Sequence, residues 1–197
     1  MRKVIVNEFM TLDGVAQAPG GADEDRSGGF AHGGWHMRTM ADERAQRWVV
    51  QGIVAAGCFL LGRRTYEIFA GYWPTASVEE QAITEALNSK PKYVASRTLR
   101  PPLRWQNSKL LEGDVGTAVA ALKQQDGGDL LVIGSIDLVR TLVAKDLVDE
   151  LRLMIDPVVV GGGKHLFRED GTLRALRLTD GQVTSSGSIL TTYARAA

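Results

Sequence analysis

Short apolar runs alternate with helix-patterned stretches along most of this 197-residue chain. No other feature constrains the fold as much. The run "KVIVNEFM" (3–10) predicts a first strand, and "CFLLG" (58–62), "KYVAS" (92–96) and "LLVIG" (130–134) predict buried strands that end in small residues. Helical spacing fills the intervals: 39–55, 64–73 up to Pro74, 77–89, 114–125 and 136–147. Ser77 with Glu80 three residues on, and Asp114, are the predicted caps of two of these helices. "RWQNSKLL" reads as an edge strand and 148–161 as a strand that meets Pro157. Parallel strands joined through helices bury both sheet faces, so the pattern predicts an α/β sandwich with a mainly parallel sheet. Residues 173–195 hold two strands with a turn near Gly187 and no helix between them, which predicts an antiparallel pair at one sheet edge. No repeat or linker divides the chain, so one domain is expected.

Composition narrows the function classes. Lys plus Arg equals Asp plus Glu, so the chain carries no general electrostatic grip on nucleic acid or anionic lipid. The single cysteine, Cys58, precludes an internal disulfide and has apolar neighbours, which fits a buried thiol in a reducing compartment. The three histidines have no chelating spacing, so no metal site is expected. "MRKVIVNEFMTLDG" lacks the apolar core of a signal peptide, and "GIVAAGCFLLG" falls short of the roughly 20 residues that span a bilayer. Cytoplasmic residence is the resulting expectation.

Ligands of open α/β sheets bind at the carboxyl ends of the strands. Three such ends carry suggestive residues. Gly62, Arg63, Arg64 and Thr65 combine a small residue, two guanidiniums and a hydroxyl at a helix start. Ser96, Arg97 and Thr98 put two hydroxyls and a guanidinium in one turn, a set suited to phosphate. Gly134 and Ser135 precede a helix whose first N–H groups and dipole favour an anion. Each has a plainer reading: helix caps with surface arginines, a polar loop, and Ser135 as an ordinary N-cap. Three adjacent junctions of this kind suit a dinucleotide. The Gly-x-Gly-x-x-Gly fingerprint is absent, and arginines without an acidic ribose clamp favour NADPH over NADH.

Taken together, "FMTLDGVAQAPGG", "FLLGRRTYEIFAGYWP", "VASRTL" and "LLVIGSIDLVRTLVAKDLVDELRLMIDPVVVGGGKHLF" resemble the RibD C-terminal domain family of the dihydrofolate reductase-like superfamily. The resemblance implies a three-layer sandwich around a mixed sheet, often as a homodimer. It implies that Gly62–Thr65 lie along the phosphates and adenine ribose, that Ser96, Arg97 and Thr98 hold the 2′-phosphate end, and that Gly134 and Ser135 cradle the pyrophosphate. Residues 11–16, with Asp13 and Gly14, would pass near the nicotinamide. Two departures stand out. The riboflavin reductases keep a lysine shortly after the Asp-Gly pair, where this chain has Val15, and the deaminase half with its zinc motif is missing.

A hydride acceptor such as C=N or C=O also needs a proton, and a half-buried carboxyl with a raised pKa is one source. Asp42 and Asp13 are the candidates, and each also reads as a cap or turn residue; the resemblance implies a single pteridine-orienting acid on this helix, where the chain has both Asp42 and Glu43, Asp42 being the better match in a pattern that departs from a true folate reductase. Trp35 and Trp73 offer flat faces to a heterocycle or belong to the core. The glycine-rich stretch 17–35 is a long loop that either closes over substrate or lacks fixed structure. The expectation is an NADPH-dependent reductase of a small heterocyclic metabolite; a nucleotide-binding module of the same fold without turnover is the alternative.

Overall fold

The computed structural model describes residues 1–76 and 80–196. Eight strands form one sheet: β1 (Val4–Thr11), β2 (Cys58–Gly62), β3 (Lys92–Ala95), β4 (Ser108–Leu110), β5 (Leu130–Ile133), β6 (Glu150–Asp156), β7 (Leu176–Val183) and β8 (Ile189–Arg195). Their spatial order is β4-β3-β2-β5-β1-β6-β8-β7. Every pairing from β4 to β6 is parallel, whereas β8 pairs antiparallel with both β6 and β7. The expected terminal antiparallel pair is thus present at one edge. "DGQVTSSGSIL" supplies its turn, with Gly187 at φ +87° where a side chain would be strained.

The five α-helices among the described residues are α1 (Glu43–Ala55), α2 (Arg63–Tyr72), α3 (Gln81–Ser89), α4 (Val115–Lys123) and α5 (Ile136–Ala144). The helix expected from residue 39 begins at Glu43, because Asp42 accepts from the Arg44 and Ala45 N–H groups and caps it. Asp114 caps α4 in the same way through Thr117 N–H. The proposed cap at Ser77 lies outside the described residues, and α3 is preceded by Glu80. In α1, Ala45, Trp48, Val49, Gly52 and Ile53 recur at helical spacing and are buried. Ala45, Trp48, Val49 and Ile53 pack with Phe59, Leu61, Tyr66, Leu87 and Leu131 on one sheet face. Val119, Leu122, Leu138, Val139 and Leu142 of α4 and α5 cover the other face over Val4, Val6, Leu60 and Val132. The result is three layers, helix–sheet–helix.

The stretch 17–35 is ordered by its own side chains. Gln17 donates to the carbonyls of Asp25 and Ser27 (both 3.0 Å) and accepts from Lys164 N–H (2.9 Å). Val15, Ala18, Phe30 and Trp35 form a small separate core beneath it. Trp35 opens a 3₁₀ turn, Trp35–Arg38, that leads toward α1.

Candidate active site

Strands β3, β2, β5 and β1 lie side by side and point the same way, so their carboxyl ends share one edge. The chain leaves β5 through two consecutive left-handed residues, Gly134 (φ +57°) and Ser135 (φ +63°). A Cβ on Gly134 would come within 3.1 Å of Thr65 Oγ1 and 3.2 Å of its Cγ2, a tight fit, so both space and backbone favour glycine there. Ser135 N–H donates to Thr65 Oγ1 (2.9 Å), and Gly62 N–H donates to Ser135 Oγ (2.9 Å). The two βα junctions therefore interlock.

This geometry decides between readings the sequence left open. Ser135 does not cap α5: its hydroxyl accepts from Gly62 and donates to Ile133 C=O (3.2 Å), and α5 begins without a side-chain cap. Thr65 does not cap α2 either, and α2 also starts uncapped after Gly62. Two helix starts thus meet at one edge with first-turn N–H groups that no side chain satisfies, an arrangement suited to anionic oxygens.

The arginines divide. Arg63 is exposed and pairs with Glu67 one turn on (2.9 Å). Arg64 reaches into the loop and binds Asp25 (2.7 Å), which also binds Lys164 (2.7 Å). Burial works against the Asp25 carboxylate, but hydrogen bonds from Lys164 and Ser27 outweigh it and hold its pKa down to about 2. Arg64 thus staples α2 to the loop and, unlike Arg97, already has a carboxylate partner. Ser96 Oγ accepts from the N–H groups of Thr98 (3.1 Å) and Leu99 (3.0 Å), shaping the turn after β3. Arg97 and Thr98 are exposed there, and the Arg97 guanidinium has no hydrogen-bond partner among the described residues.

Neither expected proton donor has the right surroundings. Asp42 Oδ1 accepts from Arg44 and Ala45 N–H, and Oδ2 accepts from Ser185 N–H and Oγ. The Ser185 hydroxyl, followed by these N–H groups, holds its carboxyl well below the usual range, so it has no proton to give near neutrality. Asp13 accepts from Thr11 Oγ1 (2.6 Å) and Gly161 N–H (2.8 Å). The Thr11 bond chiefly holds its pKa down, and the residue fastens the segment 158–161 beside the end of β1. The tryptophans are corrected as well. Trp35 is buried in the small loop core, its indole N–H donating to Gln17 C=O (2.8 Å). Trp73 follows the far end of α2, about 15 Å along the helix from the site edge, and packs edge-on against Phe69 and Tyr72.

Two groups escaped the sequence reading. Glu8 on β1 is 2% exposed, and its Oε1 has no partner. Burial, with the nearby Glu24 charge, pushes its pKa well above the ordinary value. An acid inside the apolar run "VIVNEFMT" was the available signal. The second is His36, whose Nδ1 lies 2.8 Å from Asp156 Oδ2, both residues being buried. No sequence spacing announces a pair 120 residues apart. Among the described residues no cluster of His, Cys, Asp or Glu is arranged to hold a metal ion, and no helix is long and apolar enough to cross a membrane.

Residues 2–190 match the model of the RibD C-terminal domain. The chain belongs to that family. YyaP of Bacillus subtilis, an uncharacterised protein, is 32% identical over 139 residues, 68% of this chain and 71% of YyaP. A putative riboflavin biosynthesis protein from Shewanella has a similar structure, with a TM-score of 0.67 at 19% identity and full coverage of both chains. Dihydrofolate reductase from Enterococcus faecalis, solved with NADP(H), gives a TM-score of 0.62 at 13% identity over 99% of this chain and 97% of that one. The fold of this RibD C-terminal domain is thus dihydrofolate reductase-like. Within it, the interlocked Gly62–Thr65–Ser135 junction joins two of the four sequence stretches that carried the resemblance, "FLLGRRTYE" and "LLVIGS".

Proposed function

We propose that this RibD C-terminal domain is an NADPH-dependent reductase of a small heterocyclic metabolite. The observation that carries the reading is the pair of uncapped helix starts locked together by Gly62, Thr65 and Ser135. A dinucleotide has several phosphates, and two such ends plus the unpaired Arg97 suit it. Gly134 and Ser135 would hold the pyrophosphate, Gly62, Arg63 and Thr65 would line the neighbouring stretch, and Ser96, Arg97 and Thr98 would take the 2′-phosphate. When bound, NADPH supplies a hydride. The protein's own part is to hold donor and acceptor together and to keep water out. The loop 17–35 is tied down through Asp25 to Arg64, at the start of α2, and to Lys164, so it is held close to one of the two helix starts.

Calorimetry tests the cofactor. NADPH binds more tightly than NADH, and Arg97→Ala weakens NADPH about tenfold or more while changing NADH little, since a guanidinium–phosphate contact is worth roughly 1.5–3 kcal/mol. Equal weakening of both removes the 2′-phosphate role. Binding of NADPH without oxidation by any heterocycle would favour the module without turnover.

A second copy of the chain is the proposed partner. All eight residues of β7 are exposed, and Leu176, Leu178 and Val183 alternate with Arg177 and Gln182 along it. An edge strand of this kind is a template for pairing.

A further inference from the structure

A cavity of about 490 Å³ lies at the opposite edge of the sheet from the Gly62–Thr65–Ser135 junction. Its lining comes from the second half of α5 (Arg140, Val143), the first residues of β6 (Glu150, Leu151), the start of β7 (Leu176) and the end of β8 (Tyr193, Arg195). β5, β1 and β6 run parallel, so β6 begins at the edge away from Gly134 and Ser135, which follow the end of β5. Helix α5 starts at the junction and ends at the cavity, about 13 Å on. One wall is apolar: Leu151 and Leu166 are buried in the main core, and Val143 and Tyr193 pack against it. The volume suits a small organic molecule.

The charged lining is unevenly paired. Asp149 accepts from Lys123 (2.6 Å) and Glu150 from Lys3 (2.5 Å), cations that lie outside the lining. Asp170 takes Arg174 through both oxygens (3.1 Å each). Three guanidiniums are left. Arg195 donates to Val148 C=O (2.9 Å) and Arg140 to His165 C=O (2.6 Å), both neutral acceptors. The carboxylate nearest Arg140 is exposed Asp137, 3.5 Å away and not part of the lining. Arg168 is exposed and has no ion-pair partner among the described residues. Among the described residues that line the cavity, Asp146 is the one acid without an ion pair. An arginine binds a carboxylate through two parallel hydrogen bonds, and tolerates apolar surroundings better than lysine does. We propose that the cavity is a ligand site, separate from the strand-end site, for an organic anion with an apolar body and a carboxylate end. The body lies along Leu151, Leu166 and Tyr193, and one of the three guanidiniums takes the carboxylate. The proposal does not depend on the reductase reading.

2-Naphthoate is the probe and 2-naphthamide its uncharged isostere, both titrated into the wild-type chain by calorimetry in dilute buffer. Naphthoate binds about tenfold or more tightly than the amide, with one site per chain, and weakens as salt is added. Arg168→Gln with Arg195→Gln lowers naphthoate affinity about tenfold or more, since a charge-assisted contact is lost, and leaves the amide within about twofold. Arg47→Gln with Lys109→Gln removes the same charge from exposed positions outside the cavity and leaves both probes unchanged. Equal affinity for naphthoate and the amide overturns the proposal, because the guanidiniums then take no part. Equal weakening by the two double variants also overturns it, because net charge alone is then being read. Absence of naphthoate binding at millimolar concentration overturns it outright. If the variant at Arg168 and Arg195 does not fold, Arg168→Gln alone and the wild-type comparison of naphthoate with the amide decide in the same way.

Discussion

Replacing Ser135 separates two opposing contributions at the junction. Ser135 has a left-handed backbone, which costs a residue with a Cβ about 1–2 kcal/mol. Its hydroxyl offsets this by accepting from the part-buried Gly62 N–H. Ser135→Ala keeps the strain and strands that N–H, for a loss of about 1–3 kcal/mol. Ser135→Gly strands it too but removes the strain, less roughly 0.4–1 kcal/mol for the freer unfolded chain. The glycine variant should therefore exceed the alanine variant by about 1 kcal/mol, or roughly 2–4 °C in a domain of this length. Urea melts with equal slopes read the difference directly. Both variants keep the Ser135 N–H bond to Thr65 but lose the Gly62 bond to the Ser135 hydroxyl, so on the proposed reading NADPH affinity falls in both. An alanine variant as stable as the glycine variant would refute the strain, and with it the account of why Gly134-Ser135 turns as it does.

Glu8→Gln should change the pH dependence of folding. The folded-state pKa of Glu8 is raised, so its contribution is fully present below the ordinary carboxyl range of about 4.3 and is lost as pH rises. Stability of wild type relative to Glu8→Gln should fall from pH 4 to 8 in urea melts; a constant difference would mean the carboxyl is not held neutral. Asp25 has the opposite sign, its pKa held down to about 2, so the loop staple should persist until pH falls below the ordinary value of 3.8 toward 2. Asp25→Asn at neutral pH should speed proteolysis within 17–35, and unchanged cleavage would show the loop is fixed by other contacts. Leu178→Glu should reduce any dimer to monomer in light scattering, because it places a charge on the exposed β7 edge; a persistent dimer would move the interface elsewhere.

The sheet was legible because period and punctuation agree in each element. "CFLLG" and "LLVIG" are too short and apolar for helices and end at glycine, and α1 repeats its buried residues at helical spacing. The shared edge of strand ends was legible for the same reason, since strand ends can be read from the chain and parallel strands align them. Partners were not legible. Arg64 looks like Arg63 in the sequence, yet it meets Asp25, 39 residues away. Trp73 looks close to the site because it follows "GRRTYE", but a ten-residue helix carries it to the other end of the sheet.

The acids show most plainly why partner sets matter. A carboxyl gives up a proton near neutrality only where its charged form is penalised, and hydrogen-bond donors do the reverse. Asp42 and Asp13 sit beside turns and helix starts, where unpaired N–H groups are concentrated. Those positions made both acids conspicuous in the sequence, and they are the positions that hold a carboxylate ionised. Glu8 lies inside a strand whose N–H groups are committed to the sheet, so burial finds nothing to oppose it. His36 meets Asp156 only because β6 pairs with β1, bringing its last residue beside Thr11. A helix cap in this fold is thus a position that keeps a carboxyl ionised, and the interior of β1 is one that keeps it neutral.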